Sequence, residues 1–347
     1  MTVAVPALSR RDRPRRRGGK RLGTRAVPAV LALFAAVACG ASSAGPGAAK
    51  GEQITLYTCV NDTTIQPVIK SFQSAHPEDH VALFRAPTGQ LNARVAADVR
   101  SGGLRADVVW ACDPLTMQAF VDQHLVGGWT PADAAAIPGQ YRTADYAGAA
   151  LLYMVAVYRH GTPAPQAWSR LTDKQYKGAV AVPNPAVAAS ALGALAFLAD
   201  NPAYGLGFYS ALKRNGAVQA GTPDDVTTGV AQGVYRVGMT TANSAYAARS
   251  DGSPVDVAWP LPGAVAIYGP IALARSSTHQ GTAKDFISYV LGKDGQRVLG
   301  GAGSYPTLPG SPGPTIPAGA PVVSPDWARI GKDKSAMLLQ YRQIFGG

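Results

Sequence analysis

Ile54-Thr55-Leu56-Tyr57-Thr58, followed by Ile65, Val68, Ile69 and Phe72 at the spacing of one helix face, reads as a strand feeding a helix. The pattern then repeats. Val81 to Arg85 forms a second strand pattern, Thr88-Gly89-Gln90 opens a helix carrying Leu91, Val95 and Val99, and Ala106-Asp107-Val108-Val109-Trp110 is apolar enough to be a strand buried on both faces. Alternating units of this kind predict an α/β fold with a mainly parallel sheet. Ligands of such sheets bind beyond the carboxyl ends of the strands. Those ends carry Thr58-Cys59-Val60-Asn61-Asp62, Ala86-Pro87-Thr88-Gly89 and Ala111-Cys112-Asp113.

Further along, Leu151 to Val157 reads as a crossing strand, Ala179 to Val182 as a strand, Pro183-Asn184-Pro185 as a turn, and Ala186 to Ala199 as a helix ended by Asp200-Asn201-Pro202. Thr222-Pro223-Asp224-Asp225 has the spacing of a capping box with proline at the first helical position, so a helix begins there. Val234 to Thr240 and Val255 to Trp259 are further strands, and Ala264 to Ala274 reads as a return crossing. Two crossings imply two lobes around a cleft. Tyr305 to Pro325, rich in Pro and Gly, should be irregular, and Trp327 to Phe345 should form a terminal helix.

Ahead of this frame, an arginine-rich stretch from Ser9 to Arg21 leads through the apolar run Ala26 to Ala38 to Cys39 and then Gly40-Ala41-Ser42-Ser43. That order fits an export signal with a lipid-modified cysteine at its end, and Ala36-Val37-Ala38 also fits a plain small-x-small cleavage site. The apolar run is shorter than the roughly 20 residues a spanning helix needs. Residues 1–38 hold nine of the 32 Lys+Arg and one of the 21 Asp+Glu. The remainder has 23 basic against 20 acidic residues, a formal +3, which removes the composition argument for nucleic-acid binding. The reading is therefore of a signal peptide over 1–38, a lipid-anchored tether over 39–52, a first lobe from 53–150 and 267–305, and a second from 151–266. Residues 306–347 are left without a lobe.

Four segments together resemble a known family: Ile54 to Thr58 with its helix, Ala106 to Trp110, Tyr176 to Pro185, and Lys284 to Leu291 with Gly295-Gln296. In their order and spacing the chain resembles the family 1 extracellular solute-binding proteins related to ferric-ion-binding and 2-aminoethylphosphonate-binding proteins, over roughly Gln53 to Pro309. The resemblance implies a type 2 periplasmic-binding fold: two lobes, each with a central mostly parallel sheet, joined by crossing strands. It further implies a substrate-binding subunit of an ABC importer that closes around a ligand and presents it to a membrane permease. No catalytic group or cofactor is expected, and the chain should act as a monomer.

The same resemblance bears on the ligand. Ferric relatives use two adjacent tyrosines, with a histidine and a glutamate, as oxygen and nitrogen donors. Here Tyr246 is kept, Ala245 replaces the other tyrosine, Asn61 falls at the histidine position and Cys112 at the glutamate position, so three of the four ligands are missing. Relatives that take phosphonates present hydroxyls and N–H groups at helix N-termini, a role open to Thr88, Gly89 and Ser190. Thr58, Asn61, Asp62 and Asp113 are candidates as strand ends, and Asn243 and Tyr246 through the ferric segment. A small polar or zwitterionic solute is expected, with iron as the alternative and an anchored sensor as an alternative of another class. Cys59 and Cys112 end neighbouring strands, which suits a disulfide, with two buried thiols as the alternative. His76, His80, His124, His160 and His279 show no zinc spacing, and no nucleophile or phosphate-loop motif is present.

Overall fold

The computed structural model describes residues 51–346. The expected signal peptide, Cys39 and most of the expected tether therefore lie outside the described residues. The chain runs β1 (Gln53–Thr58), α1 (Asp62–Ala75), β2 (His80–Arg85), α2 (Thr88–Arg100), β3 (Val108–Trp110), α3 (Pro114–Asp122) and β4 (Ala147–Arg159). It continues through β5 (Val180–Pro183), α4 (Ala189–Asp200), α5 (Gly205–Arg214), β6 (Val218–Ala220), α6 (Pro223–Ala231), β7 (Val237–Thr241), α7 (Ala242–Ser250) and β8 (Val255–Ala258). The rest comprises β9 (Ala264–Leu273), α8 (Gln280–Leu291), α9 (Lys293–Gly301), β10 (Tyr305–Pro306), β11 (Val322–Val323) and α10 (Trp327–Phe345).

As the sequence predicts, crossing strands join two parallel cores, and they do so within one mixed sheet of order β2-β1-β3-β9-β4-β7-β5-β6, with β8 and β10 on β4 and β11 on β9. Each end of it is a parallel core: β1 pairs in parallel with β2 and β3, and β5 with β6 and β7. The joint is the antiparallel ladder of the two crossing strands, from Ala147 opposite Ile271 to Met154 opposite Val265. These strands join the halves because both are apolar along their length; all ten residues of β9 are buried.

Separate apolar clusters hold the two halves. Ile54, Leu56, Ile65, Val68, Phe72, Phe286 and Leu291 pack α1 and α8 onto the first core. Trp168, Tyr176, Val182, Leu195, Leu198 and Val237 fill the second, where the buried Trp168 indole donates to the Gly263 carbonyl at 3.0 Å. The capping box on α6 forms as its sequence predicts, with Thr222 and Asp225 bonding each other's backbone N–H. Gly238 lets α6 sit directly on β7, since a Cβ there would meet Val226 Cγ1 at 2.3 Å and the Ala181 oxygen at 2.9 Å. The C-terminal helix packs on the second half, where Tyr341 is buried with its ring 5.4 Å from that of Tyr209. The Pro/Gly-rich stretch before it is irregular except for β10 and β11, two residues each.

Candidate ligand-binding cleft

The carboxyl ends of β1, β2 and β3 face the loop before α4 and the first turns of α6 and α7, enclosing a cavity of about 100 Å³. From the first half come Asn61, Arg85, Thr88 and Trp110, from the second Ser190, Asp224, Thr241 and Asn243, with Ala150, Leu152, Gly269 and Ser304 between them. Cys59 and Cys112 form a disulfide, Cα atoms 5.9 Å apart, which ties the ends of β1 and β3 beneath the cavity. A bridge spanning such a loop contributes about 2–4 kcal/mol by restricting the unfolded chain.

Arg85 is the cation of this lining. Its Nε donates to the Val60 carbonyl at 3.2 Å and its Nη2 to Asn61 Oδ1 at 3.0 Å. Asn61 Nδ2 in turn donates to Asp224 Oδ1 at 3.5 Å, so a polar chain runs from one half to the other. A second crossing lies alongside, from Gly89 N to the Val187 oxygen at 3.2 Å.

Two buried polar atoms of the lining have no partner among the described residues: the Nε1–H of the fully buried Trp110, and Asn243 Oδ1. Gly269 keeps room beside the indole nitrogen, because a Cβ there would sit 3.4 Å from Nε1 and 2.9 Å from the Ala111 oxygen. Helices α2, α4 and α7 start at Pro87, Ala188 and Thr241, none with a side-chain cap bond and none with an acidic residue in the first turn. Their N-terminal N–H groups, whose partial charge is positive, favour a negative group at this end of the helices.

The comparisons agree with this architecture. The family model for bacterial extracellular solute-binding proteins matches residues 54–304, well over half the chain. The chain belongs to that family. No curated protein matches it in sequence. Among solved structures it is similar to the substrate binding protein of an ABC transporter from Agrobacterium tumefaciens, with a TM-score of 0.75, 15% identity, and 86% of this chain and 96% of that one covered. It is also similar to the periplasmic binding protein AfuA from Actinobacillus pleuropneumoniae, solved with fructose-6-phosphate bound, with a TM-score of 0.73, 14% identity, and coverage of 85% and 98%. Iron-bound HitA from Pseudomonas aeruginosa gives a TM-score of 0.68, 18% identity, and coverage of 84% and 99%. At these identities the likeness is one of fold, the two-lobed type 2 architecture.

In this solute-binding protein, Asn61, Thr88, Ser190 and Asn243 stand in the cleft, as do both bridged cysteines. The other candidates lie elsewhere. Thr58 is fully buried, its hydroxyl donating to the Trp110 carbonyl at 2.8 Å and accepting from Val60 N at 3.1 Å, so it shapes the loop from behind. Asp62 is exposed in the first turn of α1, and Gly89 serves the backbone crossing beside the cavity. The Tyr246 hydroxyl accepts from Trp259 Nε1 at 2.9 Å, and the Arg249 guanidinium lies 4.8 Å from its ring centre, both of which hold it outside the cavity wall.

Asp113 is the clearest displacement. Its side chain turns back to cap α3, Oδ1 accepting from Thr116 N at 2.8 Å while Oδ2 has no partner. Burial pushes its carboxyl above the usual range, against the Thr116 N–H, which favours the charged form. Asparagine caps as well as aspartate and brings no charge. Asp113→Asn should therefore hold or raise the melting temperature at pH 7 and keep solute affinity within about twofold, while Asp113→Ala should lose about 1 kcal/mol of stability. Calorimetry on both variants checks this, and a fall in affinity with the fold intact would return Asp113 to the site.

The sequence reading passed over Arg85, Trp110 and Gly269. Arg85 had a usable signal, a lone charge closing an apolar strand one residue ahead of the chosen loop. The other two read as core.

Proposed function

We propose that this solute-binding protein is exported, moored through a lipid on Cys39 to the outer face of the cytoplasmic membrane, and captures a small polar or zwitterionic solute for an ABC permease. The observation that carries this reading is the pair of crossings, Asn61 to Asp224 and Gly89 to Val187, which close over a cavity lined by both halves and exist only while the halves meet. A solute touching both halves adds its binding energy to that closed form and shifts the population toward it. Similarity to the substrate binding protein of an ABC transporter supports the importer role.

The cleft suits an oxyanion better than a ferric ion. Arg85, the Trp110 N–H and the uncapped helix starts offer positive charge and donors. Of the positions that hold iron in ferric relatives, Cys112 is spent in a disulfide and the Tyr246 hydroxyl is engaged by Trp259. A thermal-shift screen tests the proposal with sugar phosphates, small amino acids, aminosulfonates, polyamines and ferric citrate. A solute at a hundredfold excess over its Kd should add about 2.7 kcal/mol, a rise of several degrees. We expect this from small solutes that pair an oxyanion with an amine, the amino acids and aminosulfonates, and not from ferric citrate. No shift with any of them would overturn the proposal.

A further inference from the structure

The cavity wall is electrically two-sided. On the first half, Arg85 carries the positive charge and the fully buried Trp110 has an N–H that no atom of the described residues accepts. On the second half, Asp224 carries a negative charge and the buried Asn243 Oδ1 has no donor. The wants of the two sides are complementary: the first needs an acceptor with negative charge, the second a donor with positive charge. A plain anion leaves the second side unanswered, and unpaired buried acceptors are costly.

Asp224 is not needed where it stands for its helix to begin. The start of α6 is closed by its neighbours, Asp225 Oδ2 accepting from Thr222 N at 2.8 Å and Thr222 Oγ1 from Asp225 N at 3.1 Å. The hydrogen bond to the Asp224 carboxylate is the one from Asn61 Nδ2 at 3.5 Å, the long limit of such a bond, and the carboxylate is half-buried at the cavity. Pro223, which precedes it, has no N–H, and its carbonyl is taken by Thr240 Oγ1 at 2.8 Å, so the backbone holding Asp224 is fixed.

We infer that Asp224 determines specificity by pairing with the ammonium group of a zwitterionic solute whose oxyanion rests on Arg85 and the Trp110 N–H. This deepens the capture reading above and rests on it. Asp224 also works by exclusion: a dianion such as a sugar phosphate would bring a second negative charge against its carboxylate in a cavity of only about 100 Å³, so the residue favours the zwitterion twice.

Matched probes test the inference by calorimetry and saturation-transfer NMR on the whole mature protein: glycine against acetate, taurine against ethanesulfonate, and O-phosphoethanolamine against ethyl phosphate. The native protein should prefer the amine-bearing member of any pair it binds by roughly tenfold to a hundredfold, the range of a charge-assisted hydrogen bond. Asp224→Asn should erase that preference while keeping the native circular dichroism and melting temperature, since the capping box is untouched. Arg85→Met should weaken both members alike. Equal binding of the two members by the native protein, or a preference that survives in Asp224→Asn, would overturn the inference and leave solute capture standing. Binding of neither member of any pair would overturn it as well, and only a failed thermal-shift screen besides would remove the capture reading.

Discussion

Gln296→Leu should cost about 4 kcal/mol or more of folding stability, the largest loss expected from one change of near-equal volume in this chain. Gln296 lies in α9 with no exposed surface, and its amide uses its full capacity. Nε2 donates to the Ala149 carbonyl at 2.8 Å and the Val290 carbonyl at 2.9 Å, while Oε1 accepts from Thr307 N at 2.9 Å and Leu308 N at 3.0 Å. Ala149 sits where the β4–β9 ladder slips its register, so it has no ladder partner opposite it. The glutamine thus satisfies an irregular strand, the end of α8 and the segment after β10 with one side chain. Leucine fills the space and meets none of the four groups, each of which costs about 1–3 kcal/mol when buried unpaired, less what relaxation recovers. Chemical denaturation of both proteins measures the difference. A loss below about 1 kcal/mol would mean that water replaces the amide. The joint also bears on function, because Ser304 of the cleft lies between α9 and β10.

Gln296 shows where the sequence is readable and where it is not. Gly295-Gln296 stood out as part of a family pattern, yet its role depends on partners drawn from β4 and from beyond β10, a convergence that no local spacing encodes. Elements with long apolar periodicity were legible: α10 spans Trp327–Phe345 as read, and β9 lacks only the last expected residue. β4 is longer than its apolar run suggested because Ala147, Gly148 and Ala150 also pair with β9, and Tyr158 and Arg159 with β8. The two-residue strands β10 and β11 are too short to carry a period. Strand patterns mark each crossing and so the joining of two lobes, but they do not encode the register in which β4 and β9 bond to each other. In the cleft, the strand-end rule found Asn61 and Thr88 but cannot say which way a side chain turns. Thr58 and Asp113 occupy strand ends equally well and point into the protein. Trp110 looked like core and is core; what makes it a candidate for the site is one indole nitrogen with no partner among the described residues, which only three-dimensional accounting reveals.

Arg85→Met should lower affinity for the captured solute by roughly tenfold to a hundredfold, because a charge-assisted hydrogen bond is worth about 1.5–3 kcal/mol. The methionine keeps much of the length of the stem and removes the charge, so packing along the strand end changes little. Two effects add. The first is direct: the guanidinium is already held by Val60 and Asn61, so little freedom is lost when an oxyanion arrives. The second acts through closure. Without Nη2, Asn61 Oδ1 loses its donor, and the asparagine that reaches Asp224 across the cleft is no longer fixed. Fewer molecules then occupy the closed form, and apparent affinity falls in proportion to that fraction. Arg85→Lys separates the two, since lysine restores the charge but not the planar fork that spans both partners, and it should recover part of the loss. Titration calorimetry gives the affinities, and small-angle scattering of the free proteins gives the closed fraction. A change of less than about twofold in Arg85→Met would place the oxyanion on the helix starts alone. A full recovery in Arg85→Lys would show that charge, and not the strut to Asn61, sets the affinity.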